Sequence, residues 1–236
     1  MTKLLTMLSL VILVAAPLTT MAKDAPQVPQ TTAEGLELVP KVEGLAYVWA
    51  EPGANLSQYK RINLVEPSVA FKKNWRRNYN KNAIDLASKI KSSDIKRIQK
   101  GLAELFHDVF RKELEAGGYT LTDEKAEDVL LVKAAILDLD INAPDIRSTN
   151  AQATFTTSAG SMSLYMQLFD SETDDLLAKA MDHTYDRTSM VQQLQTGPAN
   201  RQAARKMMEP WAKALREGLD HARSSTCLLY TSDAAD

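Results

Sequence analysis

Ser161-Met162-Ser163-Leu164-Tyr165-Met166-Gln167-Leu168-Phe169 is the stretch on which the fold turns. Met162, Leu164, Met166 and Leu168 fall at every second position, with Ser163, Tyr165 and Gln167 between them. Strand side chains point alternately to opposite faces, so a period of two predicts a strand with one face buried and one wet. The acidic run Asp170 to Asp175 reads as a turn, and Leu176 to Tyr185 as the return strand of a hairpin. Upstream, Asp128 to Ile141 is a longer strand whose run Val129-Leu130-Leu131-Val132 is apolar on both faces, which suits a central position in a sheet.

The apolar face of such a sheet must be covered by another layer. Ile95, Ile98, Leu102, Leu105, Phe106, Val109 and Leu114 keep the 3.6 period and predict a helix over Asp94 to Ala116, capped by Ser93 or Asp94 and ended by Gly117-Gly118. Ala204, Met208, Trp211, Leu215 and Leu219 predict a second helix over 200–222, broken from what precedes it by Gly197-Pro198 and kinked or restarted at Pro210. Short strands are expected near Leu45 to Trp49, ended by the turn Glu51-Pro52-Gly53, and at Tyr119 to Thr122. Tyr59 to Phe71 reads as a strand with a bulge or break at Pro67, because proline lacks a ladder donor. The polar stretch 142–160 reads as a loop with some β-prone residues, Thr154 to Thr157. The expected fold class is α+β: a two-layer sandwich with an antiparallel-rich sheet of about four to six strands packed against two main helices.

The ends are organised differently. Residues 1–22 read as a signal peptide: Lys3, an uncharged apolar run from Leu4 to Leu18, and an A-x-A-like cleavage site at Thr20-Met21-Ala22. The run is shorter than the ~20 residues a membrane-spanning helix needs. Residues 23–40, with Pro26, Pro29 and Pro40, have the composition of an extended linker. The single domain is placed at 41–223. Residues 224–236 are expected to be a disordered tail, and Cys227 to Asp236 resembles the translation of a sequencing-library adaptor, a scar to be set aside from the fold. The chain has 28 Lys and Arg against 30 Asp and Glu, a net charge of −2 that argues against a general nucleic-acid binder. Its one cysteine, Cys227, lies in the suspected scar, so the domain itself offers no disulfide, no thiol nucleophile and no cysteine to acylate. A lipid anchor is therefore not supported, and the expected location is periplasmic or secreted.

Phe71-Lys72-Lys73-Asn74-Trp75-Arg76-Arg77-Asn78-Tyr79-Asn80-Lys81 is the most unusual segment, with five cations and three aromatics. Lys72, Lys73, Trp75, Arg76, Arg77 and Tyr79 form a candidate binding strip, since guanidinium groups hold phosphate bidentately and rings stack. In an exported protein its counterpart would be an envelope protein or an anionic envelope polymer rather than nucleic acid. The competing reading packs Phe71 and Trp75 under the sheet and leaves the cations solvated or paired with acids. Asp138, Asp140 and Asp145 lack the spacing and glycine of a calcium loop, and Asp170, Glu172, Asp174 and Asp175 suit a turn. His107, His183 and His221 fall in no metal or nucleophile motif, and no G-x-S-x-G or phosphate loop is present. No catalytic residue, metal or cofactor is implied.

Tyr59-Lys60-Arg61, Val69-Ala70-Phe71-Lys72-Lys73-Asn74-Trp75, Asp94-Ile95-Lys96-Arg97, Ser158-Ala159-Gly160-Ser161-Met162 and Leu168-Phe169-Asp170-Ser171 together resemble a bacterial family catalogued as domain of unknown function 3313. The resemblance covers most of residues 35–220. It implies an exported, often lipoprotein-like envelope domain and carries no assigned chemistry. This sequence departs from the lipoprotein pattern, with no cysteine near Ala22. The expectation is a non-enzymatic partner- or ligand-binding envelope domain. The alternatives are a periplasmic hydrolase with a His/Asp site assembled in space, and a structural component of envelope assembly. Export with cleavage after Ala22 should leave Lys23 as the first residue, which intact-mass analysis of the exported product checks.

Overall fold

The computed structural model describes residues 28–83, 86, 88–144, 154–156, 158–186 and 193–232, with side chains undescribed at 154–156, 193–195 and 225–232. The signal peptide and Asp145 lie outside the described residues. In chain order the elements are β1 (Glu37–Leu38), β2 (Tyr47–Ala50), β3 (Arg61–Leu64), β4 (Ser68–Phe71), α1 (Trp75–Lys81), α2 (Ser92–Ala116), β5 (Thr120–Leu121), β6 (Val129–Ile141), β7 (Thr154–Thr156), β8 (Gly160–Asp170), β9 (Leu176–Tyr185), β10 (Gln193–Gln195) and α3 (Gly197–Ser232).

The long strand β6 organises the sheet. One edge pairs antiparallel with β8, which continues through β9 and β2 to β1. The other edge takes β3 and β4, both parallel, end to end along it. These two are one strand interrupted at Val65-Glu66-Pro67, the break that Pro67 predicts. β5 adds to β3, again parallel. The class is α+β, but the sheet has eight strands and is mixed, more than the four to six expected. The excess comes from the two-residue strand β1 and from splitting at Pro67. A separate pair, β7 with β10, lies outside it, within and beyond the stretch expected to be loop.

Met162, Leu164, Met166 and Leu168 are all buried, as their alternation requires. They join Leu130, Val132 and Ile136 of β6 and Ile62 and Leu64 of β3 in one core under α2 and α3. α2 ends in a Schellman motif: Tyr119 N–H bonds the Leu114 carbonyl, Gly118 N–H bonds that of Glu115, and Gly118 takes φ +79°. At its other end Asp94 is the third helical residue rather than the cap, and its carboxylate accepts from the Lys91 backbone at 2.9 Å. α3 places Trp211 in the core, with its indole N–H donating to Asp182 of β9 at 2.7 Å.

Four expectations are corrected. A third, short helix, α1, forms within the basic strip. Residues 31–38 belong to the fold rather than to a spacer: Leu36 is buried, β1 pairs with β2, and the Trp49 indole donates to the Pro29 carbonyl at 2.9 Å. This segment covers the sheet face opposite the helices, where Lys179 pairs with Glu34. α3 is one helix through Pro210, with Pro198 in its first turn, where a missing N–H costs nothing. It runs to Ser232, past the expected end at 222 and into the residues expected to form a disordered tail, since no proline follows Pro210 to stop it.

β6 carries one extra residue between Leu137 and Asp140 relative to both neighbours, and Asp138 there adopts φ +49°. Opposite, Gly160 (φ +142°) faces Ile141 so closely that a Cβ would run into the Asp140 carbonyl oxygen. Gly160→Ala should therefore lose on the order of 3 kcal/mol in urea unfolding. A loss below about 0.5 kcal/mol would show that the seam is loose.

Candidate functional site

The bulge decides where the aspartates go. Unbroken alternation from Ala134 and Ile136 would aim Asp138 and Asp140 into the core. The extra residue moves the phase by one, so that Leu139 is buried and Ile141 packs on the core instead. Asp138 is exposed, and Asp140 pairs with Lys72 at 2.7 Å. That hydrogen bond holds the Lys72 ammonium above its ordinary pKa, with the attraction between the charges adding to it.

The strip divides as the packing reading expects. Trp75 is buried, stacks on Phe71 with ring centroids 4.4 Å apart, and donates its indole N–H to the Ile141 carbonyl at 3.1 Å. Tyr79 is half-buried against Trp75, and burial pushes its phenol pKa up. These rings hold α1 on the sheet edge. Arg76 reaches Ser92 at 3.1 Å, while Lys73 and Arg77 project from the surface. The strip thus presents Lys73, Arg76 and Arg77 outward, with Lys72 engaged by Asp140.

Behind the Asp140–Ile141 wall lies a cavity of about 230 Å³ between α2, α3 and the ends of β6 and β8. Ile98, Leu102, Leu105, Met162, Ala204 and Met207 make it predominantly apolar. Its polar side chains are few: Arg97, Asp140, Ser161, Asn200 and Arg201. Arg97 pairs with Asp94 at 2.9 Å, and half-exposed Arg201 approaches Asp108 only to 3.8 Å. Burial works to raise the Asp94 pKa, but the Lys91 backbone and the Arg97 guanidinium outweigh it and hold the carboxyl below its usual range. Asn200, in the first turn of α3, donates to the Ala143 carbonyl at 2.8 Å, but its buried Oδ1 has no hydrogen-bond partner. Arg97, Asn200 and Arg201 were not legible as a site, since they lie on two helices about a hundred residues apart in no local motif.

The other candidates fall into structural places. Asp170 accepts from Glu172 N–H, Thr173 N–H and Tyr59 O–H at 2.8–2.9 Å, which is turn chemistry; the Thr173 backbone bond is the largest cause of its lowered pKa. Burial first, and Asp170 second, push the Tyr59 phenol up to about 12. Ser163 Oγ and His183 Nδ1 lie 2.9 Å apart across paired strands on the exposed face of the sheet. Among the described residues no carboxylate bonds to His183 there, and no three His, Cys, Asp or Glu side chains converge as a metal-binding group. Among the same residues no helix is long and apolar enough to cross a membrane.

The chain belongs to the family described as Protein of unknown function (DUF3313), which matches residues 34–215. No curated protein matches it. Among solved structures it is similar to a protein from Xanthomonas campestris (13% identity, 71% of this chain and 88% of that one, TM-score 0.39). It is also similar to PelC, a dodecamer from Paraburkholderia phytofirmans (10% identity, 72% of this chain and 96% of that one, TM-score 0.36).

Trp75→Ala should cost about 3–5 kcal/mol of stability, as removal of a buried ring does. Arg77→Ser should stay within about 0.5 kcal/mol of the parent. Urea denaturation of both variants separates the anchor from the presented charge.

Proposed function

We propose that this member of the DUF3313 family is an exported, non-enzymatic binding domain whose ligand is an anionic amphipathic component of the cell envelope. One observation carries the reading: the apolar cavity and the cationic strip share a wall, Asp140–Ile141. On one side of that wall Leu139 and Ile141 line an apolar volume; on the other Lys72 and the Trp75 indole are tied to it, and α1 carries Arg76 and Arg77 outward. Apolar volume next to fixed positive charge suits a ligand with an apolar body and an anionic head. The reading takes envelope residence from the signal peptide expected in residues 1–22.

Lys73 and Arg77 supply charge without closing the core, so they are the residues to alter. The purified chain should co-sediment with phosphatidylglycerol vesicles and not with phosphatidylcholine vesicles, less so as salt rises. The double variant Lys73→Ser/Arg77→Ser should weaken that binding by about thirtyfold, given roughly 1 kcal/mol per surface cation near an anionic interface. Equal sedimentation with both lipids, or an unchanged double variant, would contradict the reading.

A further inference from the structure

A strand at the margin of a sheet carries unpaired N–H and C=O groups, and proteins shield them with short strands, charges, proline or a covering segment. Among the described residues most margins of this sheet are shielded. β1 and β5 are two residues each, and the Leu38 N–H of β1 bonds the Gln30 carbonyl. On β4 the Val69 carbonyl accepts from the Gln99 side chain of α2 at 2.7 Å, and on β6 the Ile141 carbonyl accepts the Trp75 indole. β9 is different. β2 pairs with it only from Ala178 to Met181, and Ala46 then turns its N–H to the Asp182 carboxylate. Glu51 N–H bonds the Leu177 carbonyl on the β2 side, and Asp186 N–H bonds the Gly160 carbonyl on the β8 side. Alternation along the strand therefore aims the backbone N–H and C=O of His183 and Tyr185 outward, where no described strand meets them. Neither proline nor lysine guards the run Met181 to Tyr185, and Tyr185 is 60% exposed.

We infer that this edge pairs antiparallel with β9 of a second copy of the chain, about a two-fold axis through Thr184. In that register His183 faces Tyr185 of the second copy. Both direct their backbone groups outward, so each such pair exchanges N–H···O bonds in both directions. The occupant is a second copy because the surface suits itself. Around a two-fold axis a patch meets its own kind, so a patch of one charge would repel. Tyr47, Ser163, Tyr165, Met181 and Tyr185, which surround His183 on this face, include no acid, lysine or arginine. Tyrosine and methionine are also enriched where proteins meet. The carboxylates that the register sets opposite each other are already engaged, Asp182 by Trp211 and Ala46, and Asp186 by the Ala159 N–H at 2.7 Å. The pairing goes beyond the proposed ligand and does not depend on it.

The test is sedimentation equilibrium of the purified chain over a concentration series. The parent mass should climb from one chain to two. His183→Lys/Tyr185→Lys and His183→Glu/Tyr185→Glu should each remain a single chain, because each places like charges across the axis. An equimolar mixture of the two should regain the two-chain mass, which a change in folding would not produce. In the unaltered chain, backbone amide exchange at His183 and Tyr185 should slow severalfold as concentration rises, whereas that of Thr184, turned toward β8, should not move. A parent that stays single at every concentration, variants that still pair alone, or exchange at His183 and Tyr185 that ignores concentration overturns the inference. A mixture that fails to pair, with both variants folded by circular dichroism, overturns it as well.

Discussion

Between Leu137 and Asp140 the central strand takes one residue more than either neighbour, and much of the molecule is arranged around that surplus. Without it, two carboxylates would enter a core built from Met162, Leu164 and Ile136, where an unpaired charge costs several kcal/mol. With it, Leu139 and Ile141 take the inward positions. Asp140 turns to Lys72, and the Ile141 carbonyl accepts the Trp75 indole. Gly160 is the complement on the facing strand, since only the absence of a Cβ lets the backbones approach. The bulge therefore anchors α1, sets the strip beside the cavity and forms the wall between them.

The rest of the helical layer is held by a comparable device. Asp182 points to the helix side of β9, accepting the Trp211 indole on one oxygen and the Ala46 N–H on the other. One carboxylate thus joins sheet, α3 and the approach to β2. At the far end of the layer, Arg216 bonds Glu113 of α2 and Asp220 of its own helix, and Tyr119 donates to the same Asp220. Glu113 is the main cause of the raised Arg216 pKa. These contacts fix how α2 and α3 lie against each other, and so fix the cavity between them.

Periodicity made most of this legible. The alternation of β8, the doubly apolar start of β6, the stripe of α2 and the break at Pro67 are local signals that packing then obeys. Proline at 210 does not restart the helix, because tertiary contacts to α3 carry it through. The two short parallel additions, β3 on β6 and β5 on β3, depend on chain crossovers that no local pattern encodes. The bulge left a trace in the sequence: Ile136 and Leu139 are out of phase by one residue, which a strict period of two cannot accommodate. The strip's aromatics were visible as a composition, but burial of Trp75 is a consequence of the bulged carbonyl it bonds. Asn200, with Arg97 and Arg201, became a site only through the meeting of two helices.

The account's central claim is that ligand occupies the cavity beside the wall made by the bulge. Selective ¹³C-methyl labelling of methionine offers a direct view, because Met162 and Met207 line the cavity whereas Met181 lies exposed on the opposite sheet face. On titration with a short-chain anionic amphiphile, the Met162 and Met207 methyl resonances should shift saturably while that of Met181 stays still. Saturable movement of Met181 with Met162 and Met207 unmoved would contradict the account and move the binding surface to the other side of the sheet.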